Sequence, residues 1–366
     1  MSCPSCFLNC IGRFSKKGPI SDPSDEISDD PMSPTRRRAL HYVLKVGNRK
    51  NAYKFFTSVL SMRVLRHEEF ETGCEAMCNG PYHGKWSKTM VGYGPEDSHF
   101  VFELVYNYGI GGYNKDNELI SIEIMKDNIT PLLEAGGMMA PMVRDGIPGL
   151  QACVIDFEEY RFKVFEDEGE NRIGRIVLAS ADSHKSLTFW MDTLEMKRVN
   201  ESLQYGNHQC KVQFKSYKLT PLDEAEAYGR IAFSCPRVQL EGIQERVRKC
   251  KSGGKVQVPL VKLPTPGKAD VEVVVLKDPD GHEICFVGDE AFLQLAVVDP
   301  DAERILLECI EKDKSEEWFK QKGQSKMVIT RLKRSSDSDA QEKPGENSNV
   351  GKVENVEQKK TSVQKN

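Results

Sequence analysis

The sequence predicts an α+β protein: four consecutive strand–helix–strand–strand–strand (βαβββ) units, paired into two incompletely closed barrels. Three observations lead there. Apolar segments of strand length open near 39, 118, 173 and 228, and each begins the same order of periodic segments. The last two intervals are equal, and the first is longer because of an insertion at 69–86. One unit alone would leave a sheet face in water, so two units must close on each other to bury it.

Unit one opens with the strand in RALHYVLKV (38–46). A helix follows in NRKNAYKFFTSVLSM, where Tyr53, Phe56, Val59 and Leu60 share one face and Asn48 suits the N-cap. Three strands come next, in MRVLRHEE, SKTMVGY and HFVFELVY; Gly94-Pro95-Glu96-Asp97 is turn chemistry between the last two. Unit two opens at 119–125, has a helix over 127–135 ended by Gly136-Gly137, and closes with GLQACVIDF and YRFKVFE. Unit three opens with RIGRIVLAS, has a helix from Ser183 with Leu187, Trp190 and Leu194 as its stripe, and ends with HQCKVQFKS. Unit four runs from RIAFSC through a helix after Pro236 to KVQVPLVKL, ADVEVVVLKD and HEICFV.

These units place one barrel at 36–168 and the second at 169–295, with consecutive units paired. Residues 1–35 and 328–366 are polar, poor in core formers and expected to be disordered. The segment 296–327 reads as one or two terminal helices that pack on the body or on a partner.

The 366 residues carry 51 Lys plus Arg against 55 Asp plus Glu, a net charge of -4, which argues for neither a nucleic-acid nor a membrane surface. Arg36-Arg37-Arg38 reads as a solvated flank of the first strand. No stretch has the apolar length of a membrane span, and no secretory leader is evident. The 11 Cys are scattered and odd in number, as expected for mostly reduced thiols in the cytoplasm, with the mitochondrion as the alternative. Cys3, Cys6 and Cys10 read as thiols on a flexible tail. Cys74 and Cys78, four residues apart, bring their thiols close if a turn separates them.

The repeated units, together with RALHYVLKV, FELVYNYG, RIAFSC and DPDGHEICFVGDEAF, resemble the glyoxalase/bleomycin-resistance/extradiol-dioxygenase superfamily, the vicinal oxygen chelate (VOC) proteins. The resemblance implies the two-barrel fold. It also implies one metal ligand from the first strand and one from the fourth strand of each unit, with a divalent ion polarising substrate oxygens. In unit one these positions fall on His41 and Glu103, which suit Zn, Ni or Mn, with Glu103 the candidate base. In unit two they fall on Leu119 and Lys163. In the second barrel they fall on Arg175, Gln213, Arg230 and Cys285, and Glu283 shares the strand face of Cys285.

That set is incomplete for a metal. His41 and Glu103 remain candidates, while Arg175, Gln213 and Arg230 suit an anion or internal salt bridges with Glu283. Correspondence with glutathione-recognising members implies ligand roles for Lys45, Asn107 and Lys115. The expected function is therefore a glyoxalase-like protein of unproven reaction. It would act as a binding module for a small anion or thiol conjugate, or as a protein-interaction module, with a degraded metal site. The alternative is a divalent-metal-dependent enzyme resembling lactoylglutathione lyase.

Overall fold

A computed structural model describes residues 27–113, 118–216, 229–263 and 269–329. Lys115, Cys3, Cys6, Cys10 and most of the two expected tails lie outside these residues. Among the described residues, no helix is long and apolar enough to cross a membrane.

All four units form. Unit one comprises β1 (Arg38–Lys45), α1 (Arg49–Lys54), β2 (Arg63–Phe70), β3 (Trp86–Gly92) and β4 (Val101–Asn107), followed by a short β5 (Ile110–Tyr113). Unit two comprises β6 (Leu119–Lys126), α2 (Thr130–Glu134), β7 (Met138–Arg144), β8 (Ile147–Phe157) and β9 (Tyr160–Glu166). Unit three comprises β10 (Arg172–Ser180), α3 (Ser183–Thr188), β11 (Lys197–Val199), β12 (Ser202–Gln204) and β13 (Lys211–Ser216). Unit four comprises β14 (Arg230–Cys235), α4 (Leu240–Lys249), β15 (Lys255–Leu263), β16 (Val271–Lys277) and β17 (Glu283–Gly288). The chain continues through α5 (Asp289–Leu295), α6 (Ala302–Lys312), α7 (Ser315–Gln321) and β18 (Met327–Ile329).

The strands form two mixed eight-stranded sheets. The first has the order β15-β16-β17-β14-β1-β4-β3-β2, and the second β11-β12-β13-β10-β6-β9-β8-β7. Units one and four therefore share a sheet, as do units two and three. This corrects the expectation that unit one pairs with unit two and unit three with unit four. The open edge of β1 is taken by β14 in antiparallel register, His41 opposite Ala232, and that of β6 by β10, Arg175 opposite Glu123.

Units one and two, and units three and four, meet instead through the faces that carry the helices. Phe55 stacks on Phe157 with centroids 4.6 Å apart, and Phe56 packs with Phe102 and Phe162. These rings join the main core with Trp190, Phe233 and Phe286. Tyr160 Oη bridges the amide and carbonyl of Lys45, both at 3.0 Å. The pseudo-equivalent joint between units three and four uses His282, whose Nε2 faces the Ala179 carbonyl at 2.7 Å.

The repeat is visible inside the helices too. Asn48 and Asp182 cap α1 and α3 by accepting from Asn51 and Lys185 amides. Each helix continues into a π turn, Phe55–Val59 and Phe189–Thr193. Each then exits through a residue at φ 58°, Ser61 or Glu195. The terminal segment packs on the body: Arg49 donates to the Cys309 carbonyl, Tyr106 Oη to Asp313, and β18 pairs with β5.

Candidate functional site

Strand register identifies which side chains converge inside each sheet. Glu103 lies beside Val43, two residues past His41. Cys285 lies beside Ala232, two past Arg230, and Gln213 beside Val177, two past Arg175. Lys163 lies beside Glu123, two past Ser121. The unit-two equivalent of His41 is thus Ser121, not Leu119. Leu119 lies two residues before Ser121 on the same strand, past a bulge that inserts one extra residue opposite β10 between Val177 and Leu178. The positions then group as His41, Glu103, Arg230 and Cys285 in the first sheet, and Ser121, Lys163, Arg175 and Gln213 in the second. Arg175 and Arg230 lie on different sheets, so the single anion pocket expected from both does not form.

In the first sheet, His41 Nδ1 lies 2.6 Å from Glu96 Oε1, and its Nε2 lies 3.6 Å from Glu103 Oε2. Glu96 is buried and also holds Arg66 at 3.0 Å. Burial pushes Glu96 up, but His41 and Arg66 outweigh it and hold the carboxyl below its ordinary range. A carboxylate on one ring nitrogen and a second carboxylate near the other is the outer support a metal-bound histidine receives. The other two positions do not complete a cation site. Arg230 donates from Nε and Nη2 to Glu283 at 2.9 and 2.8 Å, and burial pushes the Cys285 thiol up to about 11. His41 and Glu103 fit two corners of an ion, while a guanidinium and a neutral thiol stand at the others.

This face is also filled by the chain itself. The 69–86 insertion folds inward, leaving Asn79 and Ala76 buried. Asn79 and Asn107 bond reciprocally: Asn79 Nδ2 donates to Asn107 Oδ1 at 3.0 Å, and Asn107 Nδ2 to the Asn79 carbonyl at 3.1 Å. Lys45 is 2% exposed, with its ammonium 5.9 Å from the centre of the Tyr82 ring. Arg230 Nη2 reaches the Met77 carbonyl, and a Cys74–Cys78 disulfide closes the inserted turn. At the other side Arg66 donates to the Leu295 carbonyl, and Val298 packs on Leu65, Met90 and Val101. Lys45 and Asn107, expected to hold a ligand, hold the insertion instead.

The second sheet differs in charge and cover. Arg175 is 1% exposed; its Nη1 donates to Gln213 Oε1 at 3.1 Å, and its Nη2 to both Asp145 oxygens at 2.8 and 2.7 Å. Glu123 lies 3.5 Å from Arg175 Nε and 3.1 Å from Arg144 Nε. Ser121 Oγ, Ser202 Oγ and Arg175 Nε are buried without a hydrogen-bond partner. Lys163 and Lys211 are half-buried and Lys215 is exposed, and among the described residues none of the three has a carboxylate in ion-pair range. Burial and the neighbouring Lys215 hold Lys163 below the usual lysine value. Lys211 is lowered by burial and by Arg175 and Arg144, against the pull of Asp145. The carboxylates of Glu123 and Asp145 pair with Arg144 and Arg175, and attract Lys163 and Lys211 only from beyond ion-pair range.

Two further groups of ligating side chains occur among the described residues: His67, Glu69 and Cys309, and Asp278, Asp280 and His282. Both are engaged in holding the fold. Glu69 accepts from Arg49, Tyr108 and His67, which outweigh burial and hold it down to about 2. Asp278 accepts from Trp190 Nε1 at 2.9 Å, and Asp280 from the Ala181 amide at 3.1 Å and from Ser186.

Comparison with known proteins places this geometry. The family "Glyoxalase domain-containing protein 4-like, C-terminal domain" matches residues 182–295. Over 293 residues the chain is 45% identical to glyoxalase domain-containing protein 4 of Mus musculus, covering 77% of this chain and 96% of that one. The chain belongs to the glyoxalase domain-containing protein 4 family. It is also 44% identical over 287 residues to Caenorhabditis elegans "Glyoxalase 1", covering 77% of this chain and 99% of that one. The crystal structure of glyoxalase I from Zea mays shares the fold, with a TM-score of 0.56 at 22% identity over 71% of this chain and 95% of that one. The VOC fold expected from the sequence is therefore present.

Proposed function

We propose that this glyoxalase-fold protein binds a small organic anion on the concave face of its second sheet. The observation that carries the reading is the unpaired charge of Lys163, Lys211 and Lys215 beside Arg175 and the partnerless Ser121 hydroxyl. Burial and neighbouring cations lower the proton affinity of the half-buried Lys163 and Lys211, so an incoming anion that neutralises them restores lost hydrogen bonds. Ser121, Lys163, Arg175 and Gln213 stand where the superfamily resemblance puts cation ligands, so the second sheet carries inverted charge at an equivalent place. The test is calorimetric titration of the full chain with inorganic phosphate, succinate and glutathione. Saturable binding of at least one, weakened about tenfold or more by Lys163→Ala, is expected. Absence of binding to all three overturns the reading.

A second reading rests on a different observation, the Glu96–His41–Glu103 arrangement, and on the printed name "Glyoxalase 1" of the worm relative. In that reading His41 and Glu103 would hold a divalent Zn, Ni or Mn ion, which would polarise substrate oxygens there, with Glu103 the candidate base. Its measurement is metal content by elemental mass spectrometry, beside a His41→Ala/Glu103→Ala variant. About one ion per chain, lost in the variant, supports it; no retention after reconstitution with excess ions removes it.

A further inference from the structure

The β7–β8 hairpin ends in Arg144-Asp145-Gly146. Asp145 at φ 51° and Gly146 at φ 78° make the left-handed pair of a tight hairpin turn, a conformation Asp tolerates and Gly adopts freely. The flanking Val143 and Ile147 are 65% and 57% exposed, so the tip is held by its polar contacts and not by a core. Those contacts are Asp145 on Arg175, Arg144 on Glu123, and the Arg144 guanidinium 5.1 Å from the centre of the Phe165 ring. β7 is the last strand of its sheet, paired only with β8. The hairpin thus delivers a carboxylate onto a buried arginine from a tip that lies beyond the packing of Met142 and Leu150 on Met125, Ala152 and Phe165.

Resting on the anion-binding reading above, we propose that Asp145 is an internal stand-in for a ligand carboxylate. The ligand of this face is then a small dicarboxylate, and the hairpin tip is a lid that it displaces. One ligand carboxylate takes the Arg175 guanidinium in place of Asp145. The other lies toward Lys163, whose strand β9 is two strands from β10, roughly 10 Å along the sheet and less across its concave side. The gain is at the lysine end: Arg175 exchanges one carboxylate for another, while the lysines acquire a counter-charge within ion-pair range. Arg144 leaves with the tip, and Glu123 keeps Arg175 Nε as its neighbour. The arrangement favours a carboxylate over a tetrahedral anion, because the group already seated on Arg175 is a carboxylate.

Succinate is the probe, added to the full chain and compared with inorganic phosphate. Hydrogen exchange at residues 143–147 is expected to accelerate when succinate saturates the wild-type protein, and tryptic cleavage after Arg144 to rise with it. Asp145→Asn, which removes the internal competitor, is expected to bind succinate about fivefold or more tighter. Slower exchange at the tip on binding, or equal or weaker succinate affinity of Asp145→Asn, overturns the lid while leaving the anion reading in place. Phosphate binding tighter than succinate with an unmoved tip overturns the dicarboxylate assignment. Failure of both wild type and variant to bind either anion overturns the lid and the anion reading together.

Discussion

On the concave face of the first sheet, the basic side chains at its centre have acids: Arg230 has Glu283, Arg66 has Glu96, and Lys88 has Glu68. On the second, Lys163, Lys211 and Lys215 have none among the described residues, although the strands follow the same register. The segment between the second and third strands of the unit explains much of the difference in cover. In unit one it is the long 69–86 insertion, which lies on Lys45, Asn107 and Arg230. In unit two it is the short turn at Asp145, which touches only Arg175 and its surroundings. Equivalent frames thus give one face closed by hydrogen bonds and ion pairs and one left charged. The lesson is that register fixes where side chains meet, while the hairpin length between two strands decides whether anything else can meet them.

The largest effect that could break this contrast is on the closed face. Glu283→Ala leaves the buried Arg230 without its carboxylate and should cost about 3–5 kcal/mol in urea unfolding. Asp145→Ala, on the partly exposed tip, should cost less than about 1 kcal/mol in the same measurement. Equal costs would remove the distinction between a sealed and an open face.

The two joints between units sharpen it further. His282 faces Glu118 through Nδ1 at 3.3 Å and the Ala179 carbonyl through Nε2 at 2.7 Å, so both nitrogens meet acceptors and the ring is an imidazolium. Burial opposes that charge, but Asp278 and Glu118 prevail and raise the group to about 9. A folded value above the unfolded one, near 6.5, gives stability that is complete below about 6.5 and lost as pH rises through about 9. The unfolding midpoint should therefore fall between pH 7 and 10, and His282→Gln should flatten that slope. The Tyr160 joint of units one and two has no such group; its hydroxyl is pushed well above the ordinary tyrosine range, chiefly by burial.

Smaller effects follow at single positions. Asn107→Ala removes one of the two acceptors of the buried Asn79 Nδ2, which keeps the Tyr82 carbonyl, and the donor to the Asn79 carbonyl; it should cost about 1–3 kcal/mol. Lys163→Ala relieves repulsion with Lys215 and should leave unfolding within about 0.5 kcal/mol of wild type while reducing anion affinity.

Much of the fold was legible in the sequence because each unit repeats its periodicity, and Asn48, Ser183 and Gly136-Gly137 mark helix ends close to where they occur. Which units share a sheet was not, since an open strand edge carries no label for its partner. The ligand positions in units one, three and four could be read along their strands. In unit two Leu119 and Ser121 have the same parity, so alternation along the strand does not separate them; the pairing with β9, Glu123 beside Lys163, does. Glu96 was read as part of a turn, as Gly94-Pro95 suggests; nothing local ties residue 96 to His41. Asp145 was equally hidden, since an Asp-Gly turn is fully explained by its backbone until its carboxylate is seen on Arg175.

The most direct test of an open second face and a closed first one is competitive labelling of lysine amines with acetic anhydride, read residue by residue by mass spectrometry, with and without succinate. Lys163 and Lys211, held below the ordinary lysine value, should label readily and be protected by succinate, while Lys45 labels slowly under both conditions. Labelling of Lys45 as fast as Lys163, or no protection of Lys163 and Lys211 at saturating succinate, would contradict it.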